Sequence, residues 1–323
     1  MKLRLITKEN FFKSLDLEER PWQDNYLAMY STLWQGVVTD PHLMMVPMDD
    51  HLVHRGDGVF DVIRCVEGKI YQLEAHLQRL EGSAKAIALP MPTQYDQVRE
   101  IVKALILECG VKDCIIRIIL SRGPGGFSTN PFECPSSQMY INIIRYQSPP
   151  EKYYQEGIST VTSQIPIKNA YFARIKSCNY LPNVLMKMEA LKRGYPYAVG
   201  VDNDDGLAEG STENVVVLTR DDILKFPHFA RTLAGITAKR VFELAGRLVR
   251  EKRIAGVRFD PIPLGDAHSA KEMMLLGTSI NVLPIVNHDG RQIGQGVPGP
   301  VYSELSDLLH EDMKENTDLL TAP

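Results

Sequence analysis

A two-domain α+β protein is the fold class this sequence predicts, on three observations. The chain has 323 residues, more than one ordinary hydrophobic core takes. Strand-like and helix-like stretches mix without a strict strand–helix–strand rhythm, so antiparallel or mixed sheets are expected. Near the middle, Pro149 and Pro150 interrupt the polar stretch "YQSPPEKYYQEG", which reads as an interdomain linker over residues 147–152.

The elements follow in order. Residues 1–26 read as an extension, with "ENFFKSLDLEERPW" an amphipathic helical segment that packs on the body or on a partner chain. "LAMYSTLWQGVV" and "LMMVPMDD" are rich in aromatic and branched residues and read as strands. "GDGVFDVIRCVEGKIYQL" alternates apolar and polar residues about Glu67-Gly68, a hairpin signal. Ala75, Leu77, Leu80, Ala84 and Ile87 then recur at helical spacing, and "YDQVREIVKALILECG" predicts a helix that stops at Gly110. "CIIRIILSRGPGG" and "MYINIIRY" are further strands and complete a first domain over residues 27–146. A second domain, 153–311, holds strand "ISTVTSQ", helix "YLPNVLMKMEALKRG", strands "YAVGVDNDDGLAEG" and "NVVVLTR", and helix "GITAKRVFELAGRLVREK". "AKEMMLLGTSINVLPIVNHDGRQIGQGVPGP" and helix "VYSELSDLLHEDM" end it, and residues 312–323 are expected to form a loose acidic tail.

Composition narrows the function. Apolar residues make up 44% of the chain and charged ones 24%, with no apolar run of membrane-spanning length, so no membrane role is expected. A net charge of −4 provides no basic field for nucleic acid. The five cysteines (65, 109, 114, 134 and 178) are scattered and form no CxxC pair, which fits reduced thiols in the cytoplasm. The eight histidines form no HxxxH or HExxH arrangement, so no metal site is expected; His51, His54 and His76 are assigned to polar surface or turns. There is no GxxxxGK[ST] loop and no GxSxG elbow, and "GPGG" lacks the helix a dinucleotide loop needs.

Five positions can carry chemistry together. Lys176, beside Ser177, Cys178 and Asn179, precedes a helix rather than lying on one. Gly235-Ile236-Thr237 opens a helix with free amides and a hydroxyl, an anion site of the usual kind. Gly277, Thr278 and Ser279 offer more amide and hydroxyl donors after an apolar strand, and Arg79 lies opposite an apolar helix stripe. These suit a phosphate monoester. Glu209, before Gly210 in a turn between two strands, is placed to keep a pyridine nitrogen protonated. Each position also has an ordinary structural reading as a cap, a turn or a solvated face.

The stretches "HRGDGVFDVIRCVEGKIYQLEAHLQRLEGSA", "IKSCNYLPNVLMKMEA", "LAEGSTENVVVL", "LAGITAKRVFELA" and "LLGTSINVLPIVNHDGRQIGQGVPGP" stand in the order of a known family. Over residues 27–310 the chain resembles the class IV, fold-type IV aminotransferases that use pyridoxal 5′-phosphate (PLP), a group including branched-chain and D-amino acid aminotransferases and aminodeoxychorismate lyase. The resemblance implies a small N-terminal α/β domain, a larger pseudo-barrel C-terminal domain, and a homodimer. It makes Lys176 the Schiff-base lysine. Arg79, the amides of Ile236 and Thr237, and the hydroxyl of Thr278 or Ser279 become the phosphate holders. Glu209 becomes the pyridine partner, and Tyr180 sits near the tyrosine that bonds the cofactor's 3-oxygen, one residue nearer the lysine than in the branched-chain pattern. The implied substrates are an amino acid and a 2-oxo acid. For the substrate carboxylate the candidates are Arg117, where branched-chain enzymes carry a pocket arginine, and Arg122 in "SRG". Phe60, Phe127 and Tyr180 are expected to line an apolar pocket. Phe127 and Thr129 stand near the places where the D-amino acid enzymes carry an arginine and a histidine, which turns the reading toward a branched-chain or related L-amino acid. D-amino acid transamination, lyase activity and a non-catalytic scaffold remain alternatives.

Overall fold

The computed structural model describes residues 3–15, 20–202 and 206–323. A seven-stranded sheet has the order β16-β4-β3-β5-β6-β1-β2. Its strands are β1 (Tyr26–Ser31), β2 (Gly36–Val38), β3 (Gly58–Val66), β4 (Lys69–Tyr71), β5 (Cys114–Ser121), β6 (Gln138–Arg145) and β16 (Leu320–Thr321). Along β5 the burial alternates with the period of two that a strand imposes. Cys114, Ile116, Ile118 and Leu120 point into the core under helices Leu73–Ala86 and Val98–Cys109, while Ile115, Arg117 and Ile119 point the other way. That second face is one wall of the site.

The other sheet contains β7 (Ile158–Thr162), β8 (Tyr197–Val201), β9 (Leu207–Gly210), β10 (Asn214–Leu218), β11 (Ile223–Phe226), β12 (Gly256–Phe259), β13 (Glu272–Gly277), β14 (Asn281–His288) and β15 (Arg291–Gln292). Its path runs β12-β11-β10-β13-β14-β7-β8-β9, and β9 returns to pair with β10 through Glu209 and Asn214, closing six strands into a pseudo-barrel. One edge of β10 is therefore shared: β9 takes Asn214 at its start, and β11 takes Val217 and Leu218 at its end. Helices Ile236–Arg250 and Pro300–Glu315 pack on the outer side over a core that includes Val216, Leu224, Val241, Leu248 and Leu305.

Several expectations are corrected. "LMMVPMDD" forms no strand: a short helical turn, Pro41–Leu43, takes its first residue and Pro47 removes a ladder donor. The linker prolines lead at once into a helix, Glu151–Gln155. The acidic tail is not loose, because the last helix runs to Glu315 and β16 then pairs with β4, Leu320 against Tyr71. Asp312 anchors this end, accepting hydrogen bonds from Arg240, Tyr71 and Asn316. Within "ENFFKSLDLEERPW" Phe11–Leu15 is α-helical with no side chain buried, Pro21 and Trp22 open a short helical turn, Pro21–Asn25, and residues 16–19 lie outside the described residues. Residues 203–205 of "YAVGVDNDDGLAEG" also lie outside them.

Candidate active site

Lys176 owes its position to backbone pairing rather than to a helix. Ser177 bridges Val59 as in an antiparallel ladder; the Phe60 amide donates to the Lys176 carbonyl at 2.9 Å, and the Cys178 amide to the Gly58 carbonyl at 2.8 Å. A segment that leads into the barrel is thus stitched to the start of β3 in the first sheet. The Lys176 amide also donates to Ser83 Oγ at 3.2 Å. The side chain is buried at 8% exposure, with Nζ 3.5 Å from Tyr180 Oη and 4.9 Å from the centre of the Phe60 ring. Burial pushes its pKa down to about 8, and the Arg79 charge pushes the same way; Asp61 and Glu209 oppose both.

Nζ opens on a cavity of about 550 Å³ between the two sheets, within the size range of small-molecule sites. The first sheet contributes Phe60, Val62, Ile115, Arg117 and Ile119; the barrel contributes Asn214, Leu276 and the Gly277-Thr278-Ser279 turn. The start of helix Ile236–Arg250 contributes Gly235, Ile236 and Thr237. The first amides of that 15-residue helix have no partner in its own ladder. Gly235 is required by space, since a Cβ there would collide with Asn214 Oδ1. Asn214 is itself held, donating to the Leu233 carbonyl at 2.9 Å.

Arg79 is not on a solvated face. It grips Asp61 with two parallel hydrogen bonds, Nε to Oδ2 at 2.9 Å and Nη2 to Oδ1 at 2.7 Å, and Nη1 reaches the Ala234 carbonyl at 3.3 Å, next to the helix start. His76, also buried, places Nδ1 2.7 Å from Asp61 Oδ1. Burial alone would raise the Asp61 carboxyl, yet Arg79 and His76 hold it well below the usual carboxylate range. His51 is buried as well, with Nε2 2.8 Å from the Gly126 carbonyl, so two of the histidines assigned to surface or turns are interior.

Glu209 lies on β9 itself, not in the turn after it, and occupies a narrow crevice with Lys168, Lys176, Tyr180 and Asn183. Burial raises its pKa to about 7, against the pull of the Leu233 amide at 3.0 Å and the Lys168 and Lys176 charges. Tyr180 is enclosed, its hydroxyl pushed far up by burial, with its ring against Phe60 at 5.0 Å. Lys168, 4.4 Å over the Tyr180 ring, has its own amine lowered by burial. Sequence reasoning missed Asp61, His76, Lys168 and Asn214. Asp61, His76 and Asn214 sit in quoted motifs and Lys168 seven residues before one, but only the folded contacts single them out.

Two of the proposed pocket residues are not brought to the cavity. The Arg122 guanidinium is fully engaged by Asp57, at 2.9 and 3.0 Å, and by the Ile87 and Ala88 carbonyls. Phe127 stands exposed on a loop and packs against His54 at 5.0 Å. Arg117 does face the cavity, and among the described residues its guanidinium has no hydrogen-bonded or ionic partner; its nearest aromatic ring is Phe60 at 6.0 Å.

Comparison with known proteins places this geometry in a family. The amino-transferase class IV profile matches residues 58–287. The chain is 39% identical over 290 residues to a chloroplastic D-amino-acid transaminase of Arabidopsis thaliana, covering 90% of this chain and 77% of that one. It is 29% identical over 314 residues to a branched-chain-amino-acid aminotransferase of Pseudomonas aeruginosa, covering 92% and 94%. Among solved structures, a T.th. branched-chain amino acid aminotransferase with pyridoxamine 5′-phosphate superposes with a TM-score of 0.83 at 25% identity, covering 92% of this chain and 98% of that one. The Escherichia coli branched-chain enzyme, at 23% identity and a TM-score of 0.82, shares the fold, with 91% of this chain and 98% of that one covered. The chain belongs to the class IV aminotransferases and has their fold-type IV architecture. It is a PLP-dependent transaminase that exchanges an amino group between an amino acid and a 2-oxo acid. No helix is long and apolar enough to cross a membrane among the described residues.

Proposed function

We propose that this transaminase acts on amino acids with an apolar, branched side chain, L-amino acids first, and that Lys176 is its reacting amine. The observation that carries the proposal is a buried, unneutralised amine between a carboxylate crevice and a helix-start anion site. The residues fit PLP at each of its three functional ends. Glu209 would face the ring nitrogen, and a protonated nitrogen there would keep its carboxylate ionised. Tyr180 would hydrogen-bond the ring oxygen. The amides of Ile236 and Thr237, following Gly235, would hold the phosphate with the hydroxyls of Thr278 and Ser279, and Arg79 would supply the positive charge.

Bound PLP supplies the electron sink that makes the substrate Cα proton removable. Lys176 Nζ is the base for that proton. With its pKa near 8, an appreciable share is neutral at physiological pH, where a free lysine is almost wholly charged. Tyr180 and Phe60 confine Nζ to the cavity wall. Asp61 and His76 do not touch the reactants; they fix the Arg79 fork beside Ala234, so the cationic end of the anion site is set before ligand arrives.

Arg117 is proposed to bind the substrate carboxylate, as the one guanidinium lining the cavity that has no partner among the described residues. Around it Val62, Ile115, Ile119 and Leu276 form an aliphatic wall suited to a branched side chain. A second reading, D-amino acid transamination, is favoured by the 39% identity to the Arabidopsis D-amino-acid transaminase. A panel of L- and D-amino acids with 2-oxoglutarate separates them: turnover of L-leucine, L-isoleucine and L-valine supports the proposal, and reaction of D-alanine without L-leucine replaces it with the second reading.

The division into a small domain over 27–146 and a larger one over 153–311 is part of this reading, supported by the two sheets, although β16 from the chain's end joins the first. So is a homodimer. Helix Leu181–Lys192 leaves Leu181, Val184, Met188 and Leu191 exposed at helical spacing near the cavity, a stripe that a second copy would cover. The five free cysteines favour a reducing, cytoplasm-like compartment.

A further inference from the structure

Away from the cavity, three elements bring two imidazoles and a carboxylate together. His288 ends β14, Asp289 opens the tight turn to β15, and His268 ends the short helix Leu264–His268. The turn takes its shape from Asp289 at φ 53° and Gly290 at φ 76°, consecutive left-handed residues of a two-residue hairpin. Each of the three side chains offers a ligand atom within 4.8 Å of the others. His288 is fully buried, and His268 is 13% and Asp289 23% exposed at the side chain, so the cluster is enclosed on one side and open on the other.

The separations are those of a metal's ligand edge. His268 Nε2 is 3.4 Å from Asp289 Oδ2, and His288 Nε2 is 3.5 Å from the same oxygen. With metal–nitrogen and metal–oxygen bonds of about 2.0–2.1 Å, neighbouring ligand atoms of a tetrahedral zinc lie about 3.3–3.4 Å apart. His268 Nε2 is also sealed from solvent, and its contact with Asp289 Oδ2 at 3.4 Å is too poorly aligned to count as a hydrogen bond. A buried ring nitrogen whose ionic contact is long and misaligned keeps capacity for a ligand.

The surroundings orient these atoms as an outer shell does. Thr162 donates its hydroxyl to Asp289 Oδ2 at 2.6 Å and its amide to Oδ1 at 2.7 Å, so the carboxylate is ionised and aimed. Thr160 Oγ1 lies 2.9 Å from His288 Nδ1 and fixes the ring with Nε2 on the side of Asp289. Thr162 Oγ1, 3.2 Å from that Nε2, has committed its proton to Asp289 and can only accept from the ring, so a cation would take the place of an Nε2 proton.

We propose that His268, His288 and Asp289 bind one divalent cation of the zinc class, through Nε2, Nε2 and Oδ2, with water in the fourth position. Two nitrogens and one oxygen select zinc or cobalt over magnesium or calcium, which favour all-oxygen shells. The ion ties β7, the β14–β15 turn and the preceding helix together. None of the five residues lines the catalytic cavity, so the ion is structural and independent of the substrate reading. Local spacing in the sequence does not reveal this set, because His268 and His288 belong to separate elements that meet only in the barrel.

The test uses the tag-free, PLP-loaded protein after treatment with EDTA and dialysis. Titration with cobalt(II) is expected to give the visible bands of a four-coordinate nitrogen–oxygen site, saturating at one equivalent and displaced by zinc. Zinc is expected to raise the melting temperature and to leave transaminase turnover unchanged. His268→Gln and Asp289→Asn, both at partly exposed positions, are expected to weaken zinc at least about tenfold while folding normally. An absent or unsaturable cobalt spectrum, thiolate charge-transfer bands, or zinc affinity unchanged in both variants overturns the proposal. The cobalt spectrum of the unaltered protein decides even if neither variant folds.

Discussion

Replacing Lys176 by methionine should abolish turnover and, in the PLP-free protein, raise stability. The amine's pKa falls from its usual 10.5 to about 8 because it is buried beside Arg79. At about 1.4 kcal/mol per pH unit, the protonated amine works against the folded state by roughly 3 kcal/mol. Methionine fills similar space without a charge. The amine's shift is already net of the opposing attraction of Asp61 and Glu209, so the gain at pH 7 is about 3 kcal/mol. For a chain of this length that is a rise of about 4–5 °C in melting temperature. The sign with pH follows from proton binding. Below about pH 8 both states of the wild type hold the proton, and the penalty is present in full. Between pH 8 and about 10.4 the unfolded lysine stays charged while the folded one does not, so wild-type stability climbs and the gap closes. Paired thermal melts of the PLP-free proteins at pH 7 and pH 10 test this. A variant that melts at or below the wild type at pH 7, or a gap that stays constant to pH 10, refutes the reasoning.

Glu209→Gln keeps the side-chain shape but cannot hold a proton on the ring nitrogen; kcat should fall by at least about a hundredfold with PLP still bound, as read by steady-state kinetics and the visible spectrum. Arg117→Gln should raise KM for the amino acid about tenfold or more and leave PLP affinity unchanged, because it removes a charge-assisted fork to the carboxylate alone. Asp61→Asn unties Arg79 and breaks a buried pair, for a loss of about 3–5 kcal/mol in urea unfolding and weaker PLP binding by fluorescence titration. The Asp61 contribution is present above the unfolded carboxyl value of about 4 and is lost as pH falls below it, so variant and wild type should converge in acid.

What was legible in the sequence was local. Lys176, Gly235 to Thr237 and the Gly277 turn each announce themselves within a few residues, because a helix start or a strand end defines its own donors. The hairpin at Glu67-Gly68 and the helix stop at Gly110 are set by the same short-range chemistry, and both glycines adopt positive φ. What was hidden depends on pairings across the chain. Arg79 was legible as a phosphate holder, but its anchoring by Asp61 on β3 was not, and Arg122 reads as a substrate clamp until Asp57 and two carbonyls are found to occupy it. The last residues carry only a polar composition, and their pairing with β4 comes from the edge that strand leaves open. Glu209 lies between: its carboxylate was legible, but its crevice depends on Lys168, Tyr180, Asn183 and Leu233 arriving from other segments.

Borohydride reduction of the PLP-loaded protein, followed by peptide mass mapping, tests the central claim most directly. Lys168 supplies a built-in rival, a second amine in the same crevice with its own pKa lowered by burial. The account predicts a single pyridoxyl adduct on Lys176, and none once an amino donor has converted the cofactor to its amine form. An adduct on Lys168, or one on Lys176 that persists unchanged after the donor is added, would contradict it.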